Sequence, residues 1–212
     1  MDGTRVSAIP DADIYLHDDW GDNKLQDRED SGTTTHNGVE GVYRPEWTIR
    51  DNEPTVSDEK LTITGGDGIT ANINVNLDET VTAEINDFDL SGQGDSSSDY
   101  SVYHIWAEQT TDASSAFLDE SYAVQMKGGG AGSDLRLVEV DGSGNINTLI
   151  DSGQQPTTGN IEVTRQPDGT WELFIDDESQ GTATDTSHTN PQVTAFLGRD
   201  GANDDFAEIK TR

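Results

Sequence analysis

Residues 160–184, NIEVTRQPDGTWELFIDDESQGTAT, decide the fold. NIEVTRQ and TWELFIDD are short runs in which apolar and polar residues alternate, and QPDGT between them supplies the Asp-Gly that a tight hairpin turn needs. In a strand, successive side chains point to opposite sides, so Trp171, Leu173 and Ile175 share one face and form a row of core candidates.

The same grammar extends outward from this hairpin. From Leu61 onward the runs LTIT, ITANINVNL, TVTAEINDFDL, YSVYHIWAEQ, SYAVQMK, DLRLVEVD, NINTLID, QVTAFLG and DFAEIK alternate in the same way. They are punctuated by GGDG, SGQGDSSSD, GGGAGS and DGSGN, which are rich in the residues that turns favour. Helical periodicity is almost absent, and no segment repeats itself at the spacing of a solenoid. About eleven or more strands at hairpin spacing predict an all-β protein, an antiparallel two-sheet β-sandwich of the jelly-roll type. Residues 1–13 read as an N-terminal arm, 14–212 as one domain, and 14–58 as a polar, irregular opening to it, with Trp20 and Trp47 bracing that opening against the sandwich.

Further core candidates are Tyr122, Val124 and Met126, then Leu135 with Leu137, and Val193 with Ala195 and Leu197. In YSVYHIWAEQ both faces are partly apolar: Tyr100, Val102, His104 and Trp106 alternate with Ser101, Tyr103, Ile105 and Ala107. That pattern predicts a central strand with one face in the core and the other under a cover or in a binding groove.

Charge narrows the setting. The chain has 42 Asp and Glu against 12 Lys and Arg, a formal net charge of −30, and no cysteine. Such a surface repels itself in dilute buffer, whereas at 1 M salt a Debye length of roughly 3 Å nearly removes the repulsion. Acidity, Asp in excess of Glu, Arg in excess of Lys and few large aliphatics predict adaptation to very high salt. No Lys/Arg cluster is present to release counterions, which argues against nucleic acid and anionic lipid as partners. The opening MDGTRVSAIPDADIYLHDDW has neither a basic stretch followed by an apolar one nor a run near about 18 apolar residues, so neither a secretory signal nor a membrane span is expected.

The order of segments resembles the concanavalin A-like lectin/glucanase jelly rolls, including the laminin-G-like and pentraxin-like modules. The resemblance rests on DDWGDNKL, EWTI, SDEKLTITGGDG, SYAVQMKGGGAGSDLRLVEVDG, the hairpin quoted above and the closing DDFAEIK, and it covers the chain from about residue 14 onward. Similar modules occur in structural proteins of haloarchaeal tailed viruses. The resemblance therefore implies a virion surface protein, such as a head-decoration, turret or tail-fibre subunit, contacting host surface glycans or neighbouring virion proteins. A homo-oligomer is expected, because repeated weak sites gain avidity.

Glucanases of this superfamily carry a Glu-x-Asp-x-(x)-Glu strand. Here Glu139 and Asp141 have the first spacing, but the third carboxylate is missing and the chain enters a Gly-rich turn. Asp87 with Asp89 and Asp176 with Glu178 also sit two apart, as chance provides in so acidic a chain. No catalytic residue is assigned, and the expectation is a non-enzyme. The competing readings are a glycoside hydrolase or lyase on the same fold, which needs a converging acid pair in a groove, and a purely structural spacer.

Sugar binding usually combines an aromatic platform with amides, carboxylates or Arg for the hydroxyls. Tyr103, His104, Trp106, Gln125 and Arg136 are the ligand-binding candidates; some of them must be core, Trp106 reads as buried before it reads as a stacking platform, and Gln125 and Arg136 are favoured because they alternate with clear core positions. Jelly-roll lectins often hold calcium at strand ends, and calcium takes six to eight oxygen ligands. Asp18 and Asp19, at the start of the domain, would converge with Asp204 and Asp205, near its end, on a structural calcium ion if the first and last strands lie side by side; the alternative is that these acids are surface decoration.

Overall fold

A computed structural model describes residues 16–21, 23–26, 32–36, 39–43, 45–50, 52–110, 112–114, 117–127 and 134–212. The arm expected over residues 1–13 lies outside them. The strands of the first half are β1 (Leu16–Asp18), β2 (Gly32–His36), β3 (Val39–Tyr43), β4 (Thr48–Ile49), β5 (Thr55–Ser57), β6 (Lys60–Thr64), β7 (Gly68–Asn72), β8 (Val81–Asp89), β9 (Tyr100–Ala107) and β10 (Asp112–Ser114). They continue as β11 (Phe117–Leu118), β12 (Ser121–Met126), β13 (Arg136–Val140), β14 (Ile146–Asp151), β15 (Thr158–Arg165), β16 (Thr170–Ile175), β17 (Glu178–Thr184), β18 (Val193–Arg199), β19 (Asn203–Phe206) and β20 (Glu208–Thr211). Among the described residues no helix is long and apolar enough to cross a membrane.

Two large sheets form the sandwich. One runs β17-β16-β15-β8-β20-β1-β3-β2, with β19 joining β8 to β6 and β5 lying beyond β6; the other runs β14-β13-β12-β9-β18-β7-β4. Pairing is antiparallel except between β1 and β3. The chain's opening, expected to be irregular, thus supplies five short strands. β1 pairs with β20, Asp18 opposite Ile209, so the two ends of the domain do lie side by side.

Packing between the sheets follows the alternation. Along β16 every second residue is buried, and Trp171, Leu173 and Ile175 meet Tyr122, Val124, Met126, Leu135 and Leu137 from the opposite sheet in one apolar cluster. At about 1.5–3 kcal/mol for each large side chain removed from water, this layer carries most of the fold. Trp171 contacts Tyr122 with ring centroids 4.4 Å apart and Trp106 at 5.2 Å. Trp20 and Trp47, 5.7 Å apart and fully buried, brace the opening segment as expected. Asp18 locks them: one carboxylate oxygen accepts from the Trp20 backbone N–H at 3.0 Å and the other from Trp47 Nε1 at 2.8 Å.

The seven-stranded sheet departs from the expected facing at two places. Across β9 and β12, Tyr122 pairs with Trp106 but Ala123 pairs with His104, so Ile105 is an extra residue in a β-bulge. The bulge turns Trp106 to the inner side, in the same cluster as Tyr103, and away from the side shared by Tyr100, Val102 and His104. Val193, Ala195 and Leu197 are buried, but they cluster with Ala107 and Leu118 on the outer face, while Phe196 between them enters the central core. Phe117 covers part of that outer face, 5.9 Å from Tyr100 and 6.1 Å from His104 by ring centroid.

Candidate functional site

Register places one group of polar side chains at a single end of the seven-stranded sheet. β9 begins at Tyr100, β12 ends at Met126, β13 begins at Arg136 and β18 ends at Arg199. Because the four strands are neighbours and antiparallel, these termini fall at the same edge. Gln125 pairs with Arg136 and with Val102; one step further out, Tyr100 pairs with Arg199, and Lys127 follows Met126, the partner of Ser101. Alternation sends all five side chains to the outer face.

Tyr100 lies between two cations. Lys127 Nζ is 5.4 Å and Arg199 Cζ 5.5 Å from its ring centroid, within the range of cation–π attraction, and Arg199 Nη1 donates to the Tyr100 hydroxyl at 2.9 Å. That hydrogen bond raises the pKa of Arg199. Arg136 Nη2 donates to Asp134 at 3.1 Å, and its Nε sits 3.0 Å from Asp151 Oδ2 without the alignment of a hydrogen bond. Burial lowers the pKa of Lys127, repulsion from Arg136 and Arg199 lowers it further, and Asp134 opposes the change. Lys127 makes no ion pair with any described carboxylate.

The structure thus brings together Gln125 and Arg136. It separates them from the other three predicted residues. Tyr103 is fully buried in the inner core, stacked on Phe196 at 4.7 Å with its hydroxyl 3.2 Å from Thr211 Oγ1; burial raises its pKa. Trp106 is equally buried, turned inward by the bulge. His104 is on the outer face but beneath Phe117, donating from Nδ1 to Ser121 Oγ at 3.1 Å, since that hydroxyl gives its own proton to the Leu118 carbonyl. Tyr100, Lys127 and Arg199 are the additions. Their signal in the sequence is a cation closing each of two alternating runs, SYAVQMK and QVTAFLGR, which becomes meaningful only once the register is known.

The acid pairs expected to hold calcium do not meet. Asp18 is committed to the two tryptophans, and Asp19 accepts from the Gly21 N–H at 3.1 Å. Asp204 and Asp205 lie on β19, ahead of the last strand; Asp204 accepts from Gln93 Nε2 at 2.5 Å and from Ser101, and Asp205 accepts from Thr62 Oγ1 at 2.6 Å. Among the described residues no three His, Asp or Glu side chains are grouped so as to hold a metal ion.

The glucanase-like spacing also parts. Glu139 turns inward, 2.8 Å from His188 Nε2 and accepting from Asn147 Nδ2 at 2.6 Å, and both members of the Glu139–His188 pair are buried. The pair is built into the core. The His188 backbone N–H donates to the Tyr122 hydroxyl at 3.3 Å, that hydroxyl donates to Asp185, and Trp171 Nε1 donates to the Asp185 carbonyl at 3.2 Å. Asp141 instead caps an exposed turn, accepting from the N–H groups of Ser143 at 2.8 Å and Asn145 at 2.9 Å, and the Asn145 side-chain bond lowers its pKa most. Asp89 caps a turn in the same manner through Ser91, and Asp176 accepts from the Asn160 N–H across the strand pair at 2.9 Å. Two open pockets, about 310 Å³ beside Glu84 and Glu162 and about 330 Å³ beside Lys24 and Pro54, contain none of the predicted residues.

Comparison with solved structures places this architecture. The Emp47p carbohydrate recognition domain superposes with a TM-score of 0.60 at 10% identity, over 78% of this chain and 87% of that one. The fold is a lectin-like β-sandwich. The potassium-bound form of the Emp46p carbohydrate recognition domain gives a TM-score of 0.56 at 11% identity with the same coverage. The botulinum neurotoxin serotype D ligand-binding domain in complex with N-acetylneuraminic acid gives 0.52 at 10% identity, over 84% of this chain and 46% of that one. At these identities the likeness is one of fold. No family model and no curated protein sequence matches the chain.

Proposed function

We propose that this chain is a non-enzymatic, glycan-binding surface module, adapted to high salt and displayed in several copies on a virus particle, where it contacts host envelope glycans or neighbouring subunits. The observation that carries the reading is the outer-face edge of the seven-stranded sheet. There Arg136 lies beside the buried amide of Gln125, with Tyr100 between Lys127 and Arg199. The lectin-like fold supports it, as do the carbohydrate and N-acetylneuraminic acid partners named for the structures that share the fold. A hydrolytic reading has less support, because Glu139 is taken up by a buried contact with His188 and Asp141 by a turn cap. The virion setting rests on the resemblance to tailed-virus modules and on the acidity.

The test is binding of the purified protein, in multimolar salt, to haloarchaeal cell envelopes before and after removal of their surface glycans. The expected outcome is retention that disappears with the glycans and weakens about tenfold for Arg136→Ala, the loss of one charge-assisted contact. Retention that is unchanged on bare envelopes overturns the reading in favour of a protein partner.

A further inference from the structure

Basic residues are scarce in this chain, 12 against 42 acids, yet Lys127, Arg136 and Arg199 lie at one edge of one sheet face. Three of the other described cations, Arg212, Lys210 and Arg165, are spent on neighbouring carboxylates or in the interior, and Arg136 itself is paired with Asp134. Arg212 pairs with Glu84 at 2.6 Å, and the same carboxylate takes Lys210 at 3.9 Å. Arg165 is buried against Trp106 and Trp171, donating to the Leu77 carbonyl at 3.3 Å. Lys127 is spent on neither. It lies partly buried over the Tyr100 face, repelled by Arg136 and Arg199 with Asp134 opposing them, an arrangement that an added anion stabilises. Arg199 is half satisfied: Nη1 is fixed by Tyr100, and Nε is a loose 3.5 Å from an exposed Asp200 carboxylate.

We infer that this edge is a subsite for an acidic sugar, with Lys127 taking its carboxylate or sulfate and Arg136 and Arg199, to either side, taking adjacent oxygens. The assignment rests on the glycan-binding reading and narrows it to a chemical class. Multimolar salt sharpens the argument. With a Debye length near 3 Å, attraction at a distance is gone, and only anions in direct contact with fixed donors are held. Lys127 and Arg199 are fixed in this sense, because Tyr100 between them is 4% exposed and anchored by β9 and Phe117. A neutral sugar adds nothing to the one opposing carboxylate, Asp134, whereas an anion offsets the Arg136 and Arg199 repulsion, so the site discriminates by charge.

The experiment titrates the full chain in 3 M NaCl, by NMR chemical-shift change, with three disaccharides of matched size: one bearing a glucuronate, one bearing a sulfate, and one neutral. The expected result is at least about tenfold tighter binding of the acidic sugars than of the neutral one, as one charge-assisted hydrogen bond supplies. The first two arms separate carboxylate from sulfate recognition. Lys127→Gln should remove that preference, Lys127→Arg should keep it, and Lys60→Gln, on a distant strand, should be silent. Unfolding midpoints for each variant establish that the fold persists, and Arg199→Gln serves if Lys127→Gln does not fold. Equal binding of all three sugars, untouched by Lys127→Gln, overturns the acidic-sugar subsite and leaves the glycan-binding reading standing. Binding of none overturns both.

Discussion

Two fully buried carboxylates show how much depends on the last unpaired oxygen. Asp18 has a donor on each oxygen, Trp20 N–H and Trp47 Nε1. Asp204 has both donors, Gln93 and Ser101, on one oxygen, and its buried Oδ1 has no hydrogen-bond partner among the described residues. Burial pushes its pKa up to about 7 against those two hydrogen bonds, with Asp205 and Asp89 adding repulsion. The folded state therefore holds this proton more tightly than the unfolded chain, whose Asp titrates near 4. Its contribution to stability is complete below pH 4 and is lost as pH rises through 7. Asp204→Asn keeps the shape and removes the ionisation. Relative to the wild type, the variant should gain on the order of 4 kcal/mol between pH 4 and pH 8, three pKa units at about 1.4 kcal/mol each. Denaturant unfolding at the two pH values, at constant multimolar salt, measures it. A difference that does not change with pH contradicts the raised pKa.

At the scale of elements, the hairpin of β15 and β16 was legible because both its requirements are local. Alternation put Trp171, Leu173 and Ile175 on one face, and the Asp-Gly pair fixed the turn. Gly169 there has φ +84°, and a Cβ on it would strike Thr186 Cγ2 and approach the Asp185 carbonyl oxygen at 2.8 Å. Gly169→Ala should thus cost at least about 2 kcal/mol, left-handed strain of about 1 plus the backbone clash, read as a lower unfolding midpoint. A cost below about 0.5 kcal/mol would show that the turn relaxes freely. Trp106 was not legible in the same way. Strict alternation groups it with His104, and only pairing across strands reveals Ile105 as the extra residue that reverses it. Val193, Ala195 and Leu197 fail for a related reason: periodicity separates a strand's two faces but does not say which one looks inward when both are apolar. The same holds for the site. Gln125 and Arg136 could be chosen by alternation alone, whereas Tyr100, Lys127 and Arg199 are separated by up to a hundred residues in the chain and meet only through the order β13-β12-β9-β18. Polar β17, with mostly exposed residues, has Ala183 as its one apolar contact with the core and is held chiefly by its pairing with β16.

For the whole molecule the governing quantity is a net charge of −30 on a folded surface of 9476 Å². Folding compresses that charge, and no cysteine is available to restrain the unfolded chain. The interior does little to dilute the problem, since most of the carboxylates lie on turns and strand faces open to solvent. Between 0.01 M and 1 M salt the Debye length falls from about 30 Å, comparable to the width of a small domain, to about 3 Å, less than the distance between neighbouring surface carboxylates. Stability should therefore rise steeply over that range and flatten above it, equally in NaCl and KCl, because screening depends on ionic strength and not on the cation. A salting-out effect on apolar burial has a different shape: it is weak below 1 M, grows steadily to saturation and is larger for sulfate than for chloride. Unfolding midpoints measured from 0.01 M to 4 M in NaCl, KCl and Na₂SO₄ at matched ionic strength separate the two. A curve that levels near 1 M and superposes for all three salts makes charge repulsion the reason this sandwich needs salt. A flat response below 1 M would mean that the apolar layer around Trp106, Tyr122 and Trp171 outweighs the repulsion unaided, and the acidity would then have to be explained by solubility among like particles and not by folding.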